Sequence, residues 1–225
     1  SKSNNNIGGC LTAPYKNDII TTTIERIYIM KTSKELAKLK TSIKELVIPL
    51  LTLSNIKKDI GQRGFADELE SQFISLAKKH LSNITEASSA LSTEDVGFDG
   101  INIDVKTSDI DRKFKMPNLI SVDKLKKKYY KDTIMYVMIS YSSKQHKVID
   151  CNLFYIWELP WLHLAIQNLG KGQLQIKNMS VFLNDIKNFK KITKDEWYEK
   201  FMKEGHLFYE KMILKMAEYK KNWLL

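Results

Sequence analysis

The acidic residues around position 100 are the part of this sequence best suited to chemistry. The stretch DVGFDGINIDVKTS begins at Asp95 and carries Asp99 and Asp104 within an apolar alternation. Lys106 follows two residues after the last aspartate. Carboxylates are the hard oxygen ligands that suit Mg²⁺, which keeps several waters and takes further oxygens from a phosphate. A neighbouring lysine can orient an attacking water or neutralise charge on that phosphate.

The dipeptide Asp99-Gly100 predicts that these residues lie on a β-hairpin, because a two-residue turn needs positive φ at both of its central positions. With the turn placed there, Asp95 lies opposite Asp104, and Lys106 projects from the same face. The remaining predicted cross-strand pairs are Val96 with Ile103, Gly97 with Asn102 and Phe98 with Ile101.

The pair formed by Asp95 and Asp104 is the unusual feature of this hairpin. Like charges directly opposite each other, with Cβ atoms about 5 Å apart, are destabilising. A divalent cation between them turns that repulsion into chelation, so the register favours a metal site. The alternative is a solvated hairpin face on which Lys106 simply pairs with Asp104.

The triplet of an acidic residue, any residue and lysine is a weak signal by itself, since this chain contains it four times. Only the triplet at Asp104 falls in an apolar-alternating strand with a second carboxylate facing it. The other triplets begin at Asp111, Asp185 and Glu218.

The surrounding pattern predicts an α/β (α+β) fold in a single domain spanning residues 1–225. Strands are expected at residues 133–141 and 147–157, with a further one near QLQIKNMSVFL, and a helix at residues 66–81. Thr193 and Glu196 form a capping box at the start of a C-terminal helix. The predicted segments are a loosely ordered terminus (1–17), an N-terminal helix (33–60), a core with its loops (66–190) and a C-terminal helix (193–221).

The N-terminal helix carries a heptad-like seam that includes Leu39 and Ile43, and Pro49 is expected to kink or end it. Such a short seam favours packing in the core, with a dimer contact as the alternative.

The charge of the chain favours a polyanionic partner. The formal net charge is +10 and the pI about 9.3, which indicates nucleic acid or an anionic membrane face. Cys10 and Cys151 are too few for a disulfide framework or a zinc cluster. There is no long apolar run and no signal-peptide pattern, so we expect a cytoplasmic protein.

The hairpin motif and several longer stretches of this sequence resemble a known family of proteins. A carboxylate, a hairpin and then Asp-x-Lys resemble the signature of the PD-(D/E)XK nucleases. The stretch DVKTSDIDRKFKMPNLISVDKLKK is similar, without a gap, to a member of the EcoRV-like, blunt-cutting branch of type II restriction endonucleases. ITKDEWYEKF and, more weakly, DELESQF resemble that branch in the same order.

The resemblance implies a bacterial, cytoplasmic homodimer that uses Mg²⁺ to cut both strands of a palindromic double-stranded DNA site, leaving blunt ends. In size and in its Lys/Asn/Ile-rich composition the chain also resembles one blunt-cutting type II enzyme, and this resemblance implies an AT-rich octamer as the site. Asp104 matches the second metal-binding carboxylate and Lys106 the lysine of the motif. Asp95 takes the place of the first carboxylate, with Asp99 as the alternative. Glu70 aligns with a helix glutamate that assists many such sites, or is an ordinary surface residue.

The resemblance also implies two DNA-contacting loops, after Lys106 and before the C-terminal helix, and the GQRG turn and the basic run KLKKKYYK are further candidates. For each of these residues the alternative is a solvated surface position. The candidate DNA-binding residues are Gln62, Arg63, Arg112, Lys113, Lys115, Asn118, Asn188, Lys190 and Lys191.

Three functions therefore compete on the sequence. The leading one is a type II restriction endonuclease. The second is a PD-(D/E)XK nuclease of repair or recombination, which cuts by DNA structure. The third is a basic DNA-binding protein without catalysis, for which the opposed carboxylates would have no purpose.

Overall fold

The fold is seen in a computed structural model, which describes residues 33–54, 61–87, 95–112, 118–128, 133–167 and 172–223. The terminus predicted to be loosely ordered, residues 1–17, lies outside this part of the chain. Contacts divide the chain after Ala37, and the residues from Lys38 onward form one compact unit. Five side chains within the helices and strands are also not described: those of Gln62, Glu86, Lys128, Asn222 and Trp223.

A five-stranded mixed sheet forms the centre of the fold, with the strand order β1-β2-β3-β5-β6. Strands β3 and β5 run parallel, and the other neighbours in this sheet run antiparallel. Its strands are β1 (Ile84–Glu86), β2 (Val96–Phe98), β3 (Ile101–Asp109), β5 (Thr133–Ser142) and β6 (Lys147–Tyr155). A second, antiparallel sheet has the order β4-β8-β7, with β4 (Asn118–Ser121), β7 (Leu164–Gln167) and β8 (Gln173–Ile176).

Strand β5 is buried on both faces, which explains why TIMYVMISY reads as an almost continuous apolar run. Its odd positions, such as Val137, share a face with Ile103 of β3, while its even positions, such as Tyr136, share the face of Asp104. The sheet is therefore covered on both sides.

Helices flank this sheet, which confirms the predicted mixture of helices and strands. They are α1 (Ser33–Leu46), α2 (Gln62–His80), α3 (Val122–Lys128), α4 (Met179–Asp185) and α5 (Lys194–Trp223). The first helix ends at Leu46, earlier than its apolar seam suggested, because Pro49 lies in the short 3-10 turn that follows. Leu39 and Ile43 of the seam are buried in the core, and Leu50 is exposed.

The capping box predicted for α5 is present. Glu196 accepts hydrogen bonds from the backbone N–H and the hydroxyl of Thr193, and the Thr193 hydroxyl oxygen accepts one from the Glu196 N–H. The first turns of this helix bury Trp197 and Phe201, whereas large apolar residues farther along, such as Ile213, are exposed. Within the described residues, no helix is long and apolar enough to cross a membrane.

Candidate functional site

The hairpin turn forms where the sequence predicts it. Asp99 and Gly100 have φ values of 46° and 79°, the positive values that a two-residue turn of this kind requires. The predicted register between β2 and β3 is confirmed, since Val96 pairs with Ile103, Gly97 with Asn102 and Phe98 with Ile101. Asp99 is exposed in the turn.

Asp95 lies one residue before β2, where the ladder with β3 ends. Its backbone N–H donates to the carbonyl oxygen of Ile103 at 2.9 Å. Its carboxylate Oδ2 accepts the backbone N–H of Val105 at 2.6 Å. These two bonds hold the carboxyl group of Asp95 beside the edge of β3 that β2, with only three residues, leaves open.

Asp104 and Lys106 project from β3 at this open edge. Nζ of Lys106 donates to Oδ1 of Asp104 at 2.6 Å. The Asp104 side chain is only 7% exposed, and that of Lys106 is 26% exposed. Burial raises the pKa of Asp104 to about 7, an effect that Lys106 opposes and Asp95 reinforces.

Glu70 completes a row of acidic groups at the same edge. It lies on α2, which packs against β3. Its carboxyl group hydrogen-bonds to Asp95, and Asp95 hydrogen-bonds in turn to Asp104. Burial, followed by the charge and hydrogen bond of Asp95, raises the pKa of Glu70 to about 7.

The hydrogen bonds that link Glu70, Asp95 and Asp104 therefore require that some of these carboxyl groups be protonated. A hydrogen bond between two carboxyl groups requires that one of them carry a proton. The pKa values of Glu70 and Asp104 are both raised to about 7, which favours the protonated form of these two carboxyl groups below neutral pH. A divalent cation at the site could replace two protons without changing the total charge, so the donor set fits such an ion.

Asp95 and Asp104 are the residues that could hold the cation, as the sequence predicts. Among the described residues, no three His, Cys, Asp or Glu side chains are arranged to bind one metal ion. A cation held by two carboxylates completes its shell with water and substrate oxygens, which is how Mg²⁺ usually binds. Glu70 is then placed to act through its hydrogen bond to Asp95.

Tyr136 lies beside Asp104 on the neighbouring strand, and no local pattern in the sequence indicates this position. It is the cross-strand partner of Asp104 on β5 and is fully buried. Burial, and then the nearby Asp104 carboxylate, raises the pKa of this phenol well above its usual value. The phenol therefore stays neutral, and its ring keeps water from the inner side of Asp104.

Asp109 and Asp111, at the far end of β3, have a different environment. Oδ1 of Asp109 accepts backbone N–H groups from Asp111 and Ser143, and Oδ2 of Asp111 accepts the Ser142 hydroxyl and the Lys144 N–H. These bonds tie the end of β3 to the turn between β5 and β6. The sequence around Asp111 carries no signal for this connection.

The candidate DNA-binding residues lie in several places. Arg63 is in the first turn of α2, almost fully exposed, with Nε 3.8 Å from Asp67. Nε of Arg112 is 3.3 Å from Oδ2 of Asp109. Lys113 and Lys115 lie outside the described residues, as does the Gln62 side chain.

Two candidate asparagines bond within the chain. Asn118, exposed at the start of β4, accepts a hydrogen bond from the Gln175 side chain. Nδ2 of Asn188 donates to Oδ1 of Asp185 at 3.0 Å. Lys190 and Lys191 follow Asn188 and are exposed. The basic run KLKKKYYK begins within α3, where Lys124, Lys126 and Lys127 are exposed and Leu125 is buried.

Comparison with known protein families gives no match for this sequence, and comparison with curated proteins gives none either.

Proposed function

We propose that this chain is a type II restriction endonuclease with a PD-(D/E)XK core, which cuts double-stranded DNA as a homodimer with Mg²⁺. The observation that carries the proposal is the hydrogen-bonded pair of Asp95 and Asp104 with Lys106 on the same strand edge. Two carboxylates held together at a cost in charge repulsion, beside a lysine, fit a metal-dependent hydrolase. The net charge of +10 fits a polyanionic substrate.

The chain's own residues divide the work of phosphodiester hydrolysis among them. Asp95 and Asp104 hold the cation, and the Val105 N–H fixes the orientation of the Asp95 carboxylate. Lys106, held 2.6 Å from Asp104, places a positive charge beside the scissile phosphate and orients the attacking water. When bound, Mg²⁺ stabilises negative charge on the phosphate and on the leaving oxygen.

Glu70 acts on the cation site through Asp95 and does not bind the cation itself. Its hydrogen bond to Asp95 orients that carboxylate, and its pKa of about 7 allows it to accept a proton near neutral pH. Tyr136 keeps the inner side of Asp104 dry, which strengthens the interaction of that carboxylate with a cation.

Incubation of supercoiled plasmid with the protein and Mg²⁺ tests the proposal. We expect a small set of discrete fragments, and ligation of these fragments to a blunt-ended duplex without end repair will show whether their ends are blunt. Nicking or a smear would instead indicate a nuclease that acts on DNA structure. DNA that is bound but unchanged would overturn the catalytic assignment and support a binding protein.

A further inference from the structure

A lysine cluster on the opposite edge of the central sheet has no place in the mechanism above. It consists of Lys40 and Lys44 on α1 together with Lys191 and Lys194 before and at the start of α5. Lys44 and Lys191 are exposed, and both lie close enough to Lys40 to act on it electrostatically. Segments far apart in sequence thus bring four ammonium groups to one surface.

Two stacked aromatic rings support this lysine cluster. The rings of Tyr155 and Trp157 are 5.0 Å apart with 9° between their planes. Nζ of Lys40 lies 4.7 Å from the centre of the Tyr155 ring, and Nζ of Lys194 lies 5.0 Å from that of Trp157. Cation–π contacts of this kind hold flexible lysine side chains in place.

Gathering these lysines opposes the stability of the fold. Burial lowers the pKa of Lys40, and the charges of Lys44 and Lys191 lower it further, while an ion pair with Glu158 offsets part of the effect. Burial also lowers the pKa of Lys194, which Asp195 opposes. Since like charges repel, a surface selected only for stability would separate them.

The acidic residues nearby neutralise this surface only in part. Glu158 accepts the Tyr155 backbone N–H in addition to its ion pair with Lys40. Glu196 is engaged by the Thr193 cap. An external anion that spans several ammonium groups would relieve the repulsion, and the evenly spaced phosphates of a nucleic acid strand have that form.

We infer that the lysine cluster contacts the phosphates of duplex DNA beyond the segment held at the Asp95–Asp104 site. The inference rests on the proposed function for its substrate, and it gives α1 a role in DNA binding in addition to its packing in the core. Lysine ammonium groups act as point charges, so these contacts add affinity and carry no sequence preference.

The test compares two double variants with the same change in net charge. Lys44→Gln with Lys191→Gln removes the exposed half of the cluster, and Lys211→Gln with Lys215→Gln removes two exposed lysines of α5 as the matched control. Binding to a mixed-sequence duplex is measured in Ca²⁺ over a range of salt concentrations. Because the Lys44 and Lys191 side chains are exposed and their charges repel Lys40, we expect neither double variant to unfold at a lower temperature than the wild type.

We expect the first double variant to bind roughly 10- to 100-fold more weakly near 0.1 M salt, with a salt slope shallower by about one unit per lysine. The control should stay close to the wild type. Equal losses in both variants, or no loss in the first, would overturn the inference.

The result is independent of cleavage. If the wild-type protein binds DNA through the lysine cluster but cuts no DNA in Mg²⁺, the nuclease proposal is wrong and the DNA-binding role of the cluster is supported. If the wild type cuts DNA and the salt slope of binding is the same in the Lys44/Lys191 double variant, the role of the cluster is wrong and the nuclease proposal is supported.

Discussion

Strand β3 contributes one aspartate to each of two pairs, Asp104 paired with Asp95 and Asp109 paired with Asp111, and the pairs differ in how their oxygens are satisfied. Asp109 and Asp111 accept backbone N–H groups and a serine hydroxyl, and the hydrogen bonds from Ser142 and from the Lys144 N–H lower the pKa of Asp111. Asp104 has Lys106 as its partner and otherwise meets another carboxyl group, so its pKa is raised to about 7.

This difference separates a structural pair from a chemical one. Hydrogen bonds from the protein stabilise the charged form of a carboxylate and occupy the acceptor sites that a ligand would need. The Asp95–Asp104 pair is incomplete without a proton or a cation. The same residue types on one strand therefore have different uses, which their hydrogen-bond partners decide.

The sharpest way to test the contrast is to remove one carboxylate from each pair. Asp104→Asn keeps the shape of the side chain and removes a cation ligand, so we expect plasmid cleavage in Mg²⁺ to fall by roughly 10³-fold or more. Binding of duplex DNA in Ca²⁺ should persist.

Asp111→Asn is the matched control, since it alters the same residue type in the same triplet pattern. We expect its cleavage rate to stay within a few-fold of the wild type. Equal losses of cleavage in the two variants would mean that the two pairs do not differ as described.

The pH dependence of stability provides a second test, made without metal. Because the pKa of Asp104 is raised on folding, its contribution to stability is fully present below its ordinary value, near 4, and is lost as the pH rises through about 7. Between pH 5.5 and 8.5 the free energy of unfolding in urea should fall by an amount on the order of a few kcal/mol.

Asp104→Asn serves as the control for this titration because its side chain carries no titrating proton. The variant should show a clearly smaller decline, which does not vanish because the pKa of Glu70 is also raised to about 7. A wild-type curve that runs parallel to that of the variant would contradict the raised pKa.

Glu70 should matter less than the residues that hold the cation. Glu70→Gln keeps a hydrogen-bonding group beside Asp95 and removes the titrating proton. We expect the cleavage rate to fall about tenfold, which is less than the roughly 10²- to 10⁴-fold that a direct proton-transfer group contributes. The rate should also become less dependent on pH near 7. A loss as large as that of Asp104→Asn would make Glu70 a direct ligand instead.

The smallest effect is expected at the structural pair. Asp111→Ala removes the acceptor for the buried Ser142 hydroxyl and for the Lys144 N–H, so the protein should unfold at a slightly lower temperature. Thermal unfolding measures this change. An unaltered midpoint would show that these hydrogen bonds contribute nothing to holding the turn against β3.

The sequence predicted the local geometry of the site because that geometry depends on short-range chemistry. Asp99-Gly100 set the turn, and the alternation of residues set the register of the hairpin. The length of the strand pairing could not be read in the same way. Asp95 lies just outside β2, and its carboxylate reaches the Val105 N–H instead of extending the ladder.

Contacts between segments that are far apart along the chain could not be predicted from the sequence. The position of Tyr136 beside Asp104 follows from the parallel pairing of β3 with β5, which no local pattern specifies. The approach of Lys191 to Lys40 depends on the packing of α1 near the start of α5. Helix ends were predicted where a residue enforces them, as Pro49 and Thr193 do.

Direct measurement of divalent cation binding is the most decisive test of the central claim, that Asp95 and Asp104 form a cation site. Mn²⁺ bound to the protein can be counted by electron paramagnetic resonance at pH 8, where the site has lost its protons. We predict that the wild type and Asp111→Asn bind Mn²⁺ alike, and that Asp104→Asn loses this binding. Undiminished binding of Mn²⁺ by Asp104→Asn would contradict the account.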